Sequence, residues 1–356
     1  DARRRHGGVG VTDDMGPAAD MGATIADAEP SADMGTTDDA GPAAGVGRDG
    51  TSDRAGGGTS GRAGKDVVAV VVTFSASDDL VACVESVERV GGVDHVVIVD
   101  NGGSSMIQGS ERRSVLRPER NRGFGAGANA GFGAAKRLGA RVVVLLNDDV
   151  VVTHGWLPPL LAELDRGERV GAAQPMLTLA GTDPVQVNSL GVSIGGDGAG
   201  NDIGIGRPVA DIDPAPHDID VFTGGVVAFR RAFLDATGGF DERYFLYYED
   251  VDLARRGSRA GWTYRCVPAS VVEHRKGAST AALGDRTVYL RERNRLWSAF
   301  RNEPWRTVLG AVWLSIRRLR HPPRTVHARA LAAGVAGGIT RLAWRLTSMR
   351  TSDSGV

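Results

Sequence analysis

Cysteine is nearly absent from this chain: 356 residues carry two, Cys83 and Cys266. Two thiols so far apart, each in an apolar run, exclude a disulfide framework and a cysteine zinc site, and read as buried core residues. Aromatic residues are missing from positions 1–65, which are almost entirely Gly, Ala, Asp, Thr, Ser, Pro and Arg. Fragments recur there, DMG at 14–16, 20–22 and 33–35 and GPAA at 16–19 and 41–44. None can form an apolar face, so the segment is low-complexity rather than a solenoid, and it is expected to be disordered. The opening stretch lacks the apolar core of a signal peptide, and with so few cysteines the chain is expected to be cytosolic. Neither sign of charge dominates, with 42 basic against 43 acidic residues, so nothing global favours nucleic acid as a partner. Membrane-spanning runs are missing too: TVLGAVWLSI (307–316) and ALAAGVAGGIT (330–340) fall short of the ~20 residues a span needs.

Arginine is plentiful at the C-terminus. Between Arg286 and Arg350 there are fourteen Arg and two acids, Glu292 and Glu303, with Trp297, Trp305, Trp313 and Trp344 among them. Two readings stand open. Such a helical extension can lie on an anionic membrane surface, or it can pack on the preceding domain with its Arg face in water.

The middle of the chain alternates strand and helix. DVVAVVVTFS (66–75), HVVIVDNGGS (95–104) and RVVVLLNDDV (141–150) are continuous apolar runs, as expected for strands buried on both faces. SVLR (114–117) is a short strand, third in chain order, and Leu80, Cys83, Val84 and Val87 have helical spacing after an N-cap at Ser77 or Asp78. The pattern predicts an α/β fold with a mostly parallel, Rossmann-like sheet flanked by helices. Ligands bind such sheets at the carboxyl ends of the strands. Thr73-Phe74-Ser75, Asp100-Asn101 and Asn147-Asp148-Asp149 all fall there.

NRGFGAGANAGFGAAKRLGA (121–140) looks at first like a dinucleotide-binding glycine loop. That fingerprint needs a strand running straight into the first glycine, whereas Pro118 to Arg122 intervene before Gly123. The small residues also suit a close helix–sheet packing loop or the wall of a sugar-nucleotide pocket, the favoured reading. LNDDV offers an amide and two acids at a strand end, close to a D-x-D arrangement that holds Mg²⁺ or Mn²⁺ on a diphosphate. GGFDERYFLYYEDVDLARRG (238–257) sets aromatics before Glu249-Asp250 at a helix start. The pair can cap the helix dipole, with Asp252 and Arg256 as an i,i+4 pair. A partly buried carboxylate there also suits a base. SVVEHRKGAS (270–279) is a strand ending in His274. The segment 178–220, rich in Gly and Asp, is expected to form loops around an acceptor.

Taken in order, VVVTFS, VIVDNGGS, NRGFGAGANAG, LLNDDVVVTHGWL, FTGGVVAFRRAFLDATGGFDERYFLYYEDVDLARRG and EHRKGAS resemble the inverting family 2 glycosyltransferases, especially bacterial rhamnosyltransferase-like members. They cover roughly residues 66–300. The resemblance implies a GT-A (nucleotide-diphospho-sugar transferase) fold with a helical C-terminal extension. Its implied domains are a tail at 1–65, a catalytic domain at 66–285 divided near 150, and a basic extension at 286–356. It further implies that Thr73, Phe74, Ser75 and Asp100 hold the base and ribose, and that Asn129 sits beside the nucleotide. Asp149 and His274 would ligate a divalent metal ion, Mg²⁺ or Mn²⁺, with Asn147 and Asp148 near the ribose or diphosphate. Arg275 or Lys276 would steady the leaving phosphate. Asp250, with Glu249 beside it, would be the catalytic base. Asn147 departs from the motif's first acid and adds no charge. The implied partners are a nucleotide-sugar donor such as dTDP-rhamnose and a glycan or polyprenyl-linked glycan acceptor, at the inner face of the plasma membrane in envelope polysaccharide synthesis. An NAD(P)-dependent oxidoreductase and a non-catalytic membrane-surface protein remain the competing readings.

Overall fold

The computed structural model describes residues 66–75, 77–275 and 284–352, with side chains described as far as residue 342. The expectation of disorder for residues 1–65 and the role suggested for Lys276 fall outside those residues.

Strand β1 (Val67–Thr73) is buried along its whole length. Because side chains alternate across a strand, it feeds two cores. Val68, Val70 and Val72 enter one cluster, and Val67, Ala69 and Val71 the other. Helix α1 (Asp78–Val90) begins where the Ser77 hydroxyl accepts from the Leu80 N–H at 3.1 Å, with Asp78 and Asp79 in the first turn favoured by the helix dipole. Then come β2 (His95–Asp100), β3 (Arg113–Leu116), α2 (Phe124–Arg137), β4 (Val142–Asn147), β5 (Val150–Val152) and α3 (Leu157–Asp165). The second half holds β6 (Val170–Leu179), β7 (Val187–Ser189), β8 (Val192–Ile194), β9 (Gly200–Asp202), β10 (His217–Ile219), β11 (Val226–Arg230), α4 (Arg231–Thr237), α5 (Glu249–Arg259) and β12 (Thr263–His274). Helices α6 (Asp285–Asn302), α7 (Trp305–Arg318) and α8 (Arg324–Ser352) follow.

The main sheet runs β10-β12-β6-β11-β4-β1-β2-β3, with β5 on β12 and β7 on β6. Pairing is parallel from β4 through β3 and between β6 and β12, and antiparallel where β11 and β10 enter. The sheet is therefore mostly parallel along its path, as its unbroken apolar strands predict. Strand order reverses at β1, which has β2 on one side and β4 on the other. That reversal opens a crevice at the carboxyl ends of these strands. The register sets Thr73 beside Asp100, and Val72 beside Asn147.

Residues 178–220 differ from the loops expected. Short strands β7 to β10 run through them, and Val187, Leu190, Val192 and Ile219 are buried. Three-residue strands separated by glycine turns carry too little periodicity to stand out in the sequence. The glycines of 123–131 serve packing. A side chain at Gly131 would collide with Val70 of β1, and one at Gly127 would come within 2.6 Å of the Asn101 amide. Helix α2 thus rests directly on the sheet, and of this run only Gly123 and Phe124 reach the crevice.

Candidate active site

The crevice is walled by Thr73 and Phe74 after β1, Asn147-Asp148-Asp149 after β4, Gly123 and Phe124 at the start of α2, and Phe245, Leu246 and Arg286 from the second half. Asp148 and Asp149 occupy the turn between β4 and β5. The Thr73 hydroxyl lies 2.6 Å from Asp148 Oδ2 and 2.9 Å from the Ser75 carbonyl. Burial raises the Asp148 carboxyl to about 6; the Thr73 bond opposes that rise and the neighbouring Asp149 charge adds to it.

Strand β5 leaves β4 and pairs with β12, setting His274 opposite Val150. His274 Nε2 thereby comes 3.1 Å from Asp149 Oδ1, while Nδ1 lies 2.6 Å from Asn188 Oδ1. An amide oxygen only accepts, so Nδ1 carries a proton and Nε2 is turned to the carboxylate. Among the described residues no three His, Cys, Asp or Glu converge as a complete metal cage. One carboxylate oxygen beside one imidazole nitrogen fits a hard divalent ion that takes its other ligands from substrate phosphates and water.

Asp250 lies at the start of α5, partly exposed. Its Oδ2 accepts from the Gly224 N–H at 2.9 Å and its Oδ1 from its neighbour Val251 at 2.8 Å. Gly225 O in turn accepts from the Asn147 N–H at 2.8 Å, so one Thr223–Gly225 turn links Asp250 to the Asn147-Asp148-Asp149 strand end. Burial raises the Asp250 carboxyl, the two N–H bonds oppose the rise, and Asp202 adds to it. Glu249 is raised by burial and then by the charge of Asp250.

The turn that delivers Asp250 is strained. Phe245, Tyr247 and Tyr248 all have positive φ, at 69°, 72° and 69°, a region bulky residues rarely enter. Buried Asn294 on α6 holds it, its Nδ2 lying 2.9, 2.8 and 2.8 Å from the carbonyls of Tyr244, Leu246 and Tyr247. Phe245 O accepts from the Phe124 N–H at 2.7 Å, and Gly123, at φ 97°, leaves no room there for a side chain.

The model of Glycosyl transferase family 2 matches residues 68–192, and that of Glycosyl transferase family group 2 matches residues 142–353. The chain belongs to glycosyltransferase family 2. It is 30% identical over 214 residues to an N-acetylglucosaminyl-diphospho-decaprenol L-rhamnosyltransferase of Mycobacterium tuberculosis, a match covering 52% of this chain and 67% of that protein. The O-antigen biosynthesis protein RfbC of Myxococcus xanthus is 29% identical over 157 residues, covering 42% of this chain and 12% of RfbC. Among solved structures, GalNAc-T7 with UDP, GalNAc and Mn²⁺ superposes with a TM-score of 0.54 at 15% identity. That match covers 81% of this chain and 58% of GalNAc-T7, and at such identity it shows a shared fold, the GT-A fold.

In this glycosyltransferase several residues singled out from the sequence do other work. Asn129 is outside the crevice: its Oδ1 accepts from the Phe240 N–H and its Nδ2 donates to the Phe240 carbonyl, both at 2.9 Å, bracing the loop before the ED helix. The Arg275 guanidinium turns to Asp79 (3.7 Å) and Glu273 (3.6 Å), and only its backbone N–H serves the site, donating to Asp149 O at 2.8 Å. Glu249 is buried against the glycine face of α2, its Oε2 without a hydrogen-bond partner among the described residues, and it does not line the crevice. Ser75 contributes its carbonyl to Thr73 and does not line the crevice. Asp100 is fully buried, with Oδ2 accepting from the Ser105 N–H at 3.0 Å and ion-paired with Arg117 Nε at 3.5 Å.

Other contributors escaped the sequence reading. Arg286 lies 4.6 Å over the Phe245 ring and supplies the crevice with a cation. Asn121 Oδ1 accepts from Gly123 N (2.8 Å) and, with Asn101 of the expected strand-end cluster donating from Nδ2 to Gly123 O (3.0 Å), fixes the α2 start. Asn188 orients His274. An Asn next to a strand end or a glycine was the only available signal.

Proposed function

We propose that the chain is a metal-assisted inverting glycosyltransferase that moves rhamnose, or a closely similar sugar, from a dTDP-linked donor to a polyprenyl-linked glycan in envelope polysaccharide synthesis. The sugar and acceptor rest on the mycobacterial relative, whose name specifies L-rhamnosyl transfer to a decaprenol-linked sugar. The carrying observation is the Gly224–Gly225 turn, which binds Asp250 on one side and Asn147 on the other. It brings a carboxylate suited to proton removal up to a strand end suited to holding a diphosphate.

In this reading Thr73 and Phe74 receive the base and ribose, and Asp148 and Asn147 lie along the ribose and diphosphate. Asp149 and His274 would hold the cation, which when bound supplies positive charge to the departing diphosphate. Arg286, over the Phe245 ring, adds a fixed guanidinium to the same wall. Asp250 takes the proton of the acceptor hydroxyl as that oxygen attacks the anomeric carbon from the face opposite the leaving group. The C–O bond to the diphosphate breaks as the new C–O bond forms, so a single inversion results and no covalent enzyme intermediate is required.

Titration with dTDP and UDP in the presence of Mn²⁺, against NADH, tests the donor class. Binding of dTDP and slow hydrolysis of its rhamnose conjugate are expected. Binding of NADH alone would replace this reading with an oxidoreductase.

A further inference from the structure

Helix α7 has one face in the molecule and the other in water. Val308, Ala311 and Ser315 are buried within the α6–α8 helical layer. Trp305, Leu309, Trp313 and Ile316 are exposed at 55%, 67%, 58% and 51%. At helical spacing these four share one sector of about 80°. Isolated surface apolar residues need no explanation, but a contiguous aromatic and aliphatic stripe marks an interaction surface. Exposed Arg306 and Arg317 border it, with Arg320 just beyond the helix end, and the Arg317 guanidinium lies 4.8 Å from the Trp313 ring centre. The helix contains no acidic residue. No helix among the described residues is long and apolar enough to cross a membrane.

We propose that this face docks on an anionic lipid bilayer, with α7 in the interface plane. Its Trp, Leu and Ile side chains enter the headgroup–acyl boundary, and its guanidinium groups meet lipid phosphates. The position of α7 favours a lipid surface. Gly310 abuts the Gly196 carbonyl in the β8–β9 turn, and Arg295 donates to Asp197 O at 2.7 Å and Ala311 O at 3.0 Å. The same hairpin holds the Tyr248 hydroxyl, which donates to Gly198 O and accepts from Gly200 N, each at 3.2 Å. Tyr248 leads directly into Glu249-Asp250, so a docked α7 would orient the base relative to the membrane. That last step rests on the lipid-linked acceptor proposed above; the docking itself does not. A second copy of the chain is a poorer occupant, because a self-complementary contact would bring the bordering Arg groups together with no acid on α7 to offset them.

Flotation of the full chain, without substrate, on phosphatidylcholine vesicles with and without phosphatidylglycerol tests the surface. Binding only to the anionic vesicles is expected, weakened by salt, with tryptophan emission quenched by brominated lipid. Leu309→Ser/Trp313→Ser should lower the bound fraction about tenfold or more, whereas Ile339→Ser, exposed on α8, should not. Absence of both flotation and quenching for the unaltered chain overturns the proposal, as does undiminished flotation of the double variant. A dimer that the double variant dissociates, with no vesicle binding, would assign the face to a second copy and also overturn it. Donor hydrolysis in lipid-free solution, followed in parallel, fails only if the transfer reading is wrong and leaves the vesicle result standing.

Discussion

Asp250 is held by two backbone N–H groups and raised by burial, which in the proposed reading suits it to take a proton without being free to move. Asp250→Asn keeps the shape and removes the basicity; transfer should fall about 10²–10⁴-fold with donor binding unchanged, as read from kcat and dTDP titration. A base must be ionised to act, so the rate is lost as pH falls through its pKa. Since burial raises that pKa, the acid limb of the kcat/KM profile should lie above the ordinary carboxylate range, and in Asp250→Asn it should vanish. Asp149 makes a different prediction. Chelation of divalent ions should stop transfer and added Mn²⁺ or Mg²⁺ should restore it, whereas Asp149→Ala should require far more metal in a titration of activity. Equal metal requirements for variant and wild type would remove Asp149 from that role. Asp149 and His274 were brought together only by the family resemblance, and neither the Gly224 contact of Asp250 nor the Phe240 contact of Asn129 was visible in the sequence. Asp149 meets His274 across 125 positions, and Asn129 meets Phe240 across 111. Spacing along a chain says little about which of several polar groups at a strand end will turn inward, which is why Asn129 and Arg275 were read as ligand contacts.

At the scale of elements, the strands were the most readable part. Parallel strands buried on both faces must be apolar at every position, and β1, β2 and β4 are. The start of α5 at the ED pair was readable as well, because acids favour a helix N-terminus. The three positive-φ residues before it were not, since Phe245, Tyr247 and Tyr248 belong to types that ordinarily avoid that region. Their conformation is imposed from α6, through Asn294. Asn294→Ala leaves the carbonyls of Tyr244, Leu246 and Tyr247 without this donor. A loss of about 1–3 kcal/mol is expected from such unsatisfied groups, measurable as a lower Tm in thermal unfolding. As a positioning residue Asn294 should also lower kcat at unchanged donor KM. A fall in Tm alone would reduce it to a structural brace.

For the whole molecule, the C-terminal helices are integral to the unit that contains the sheet. Arg301 of α6 reaches Asp241 at 2.8 Å and Asp252 at 3.0 Å, and Glu303 pairs with Arg255 at 2.8 Å. Asp252, fully buried, also pairs with Arg256 at 2.8 Å. Removing residues 286–356 would strip Arg301 from buried Asp252 and half-buried Asp241, and breaking a buried pair costs about 3–5 kcal/mol. The truncated chain should therefore lose donor binding and cooperative unfolding together. A truncated chain that still binds dTDP would show the helices to be dispensable to the fold. Composition left packing and membrane contact open for this region; α6 packs, and α7 packs on one face and keeps an apolar stripe outward.

The central claim is a direct displacement assisted by one base, and the configuration of the product tests it most directly. Transfer from dTDP-rhamnose to a polyprenyl-diphosphate-linked N-acetylglucosamine acceptor, with the anomeric centre of the product read by NMR, should give the configuration opposite to that of the donor. A product with the donor's configuration would contradict the account, because it requires a second displacement for which Asp250 alone has no place.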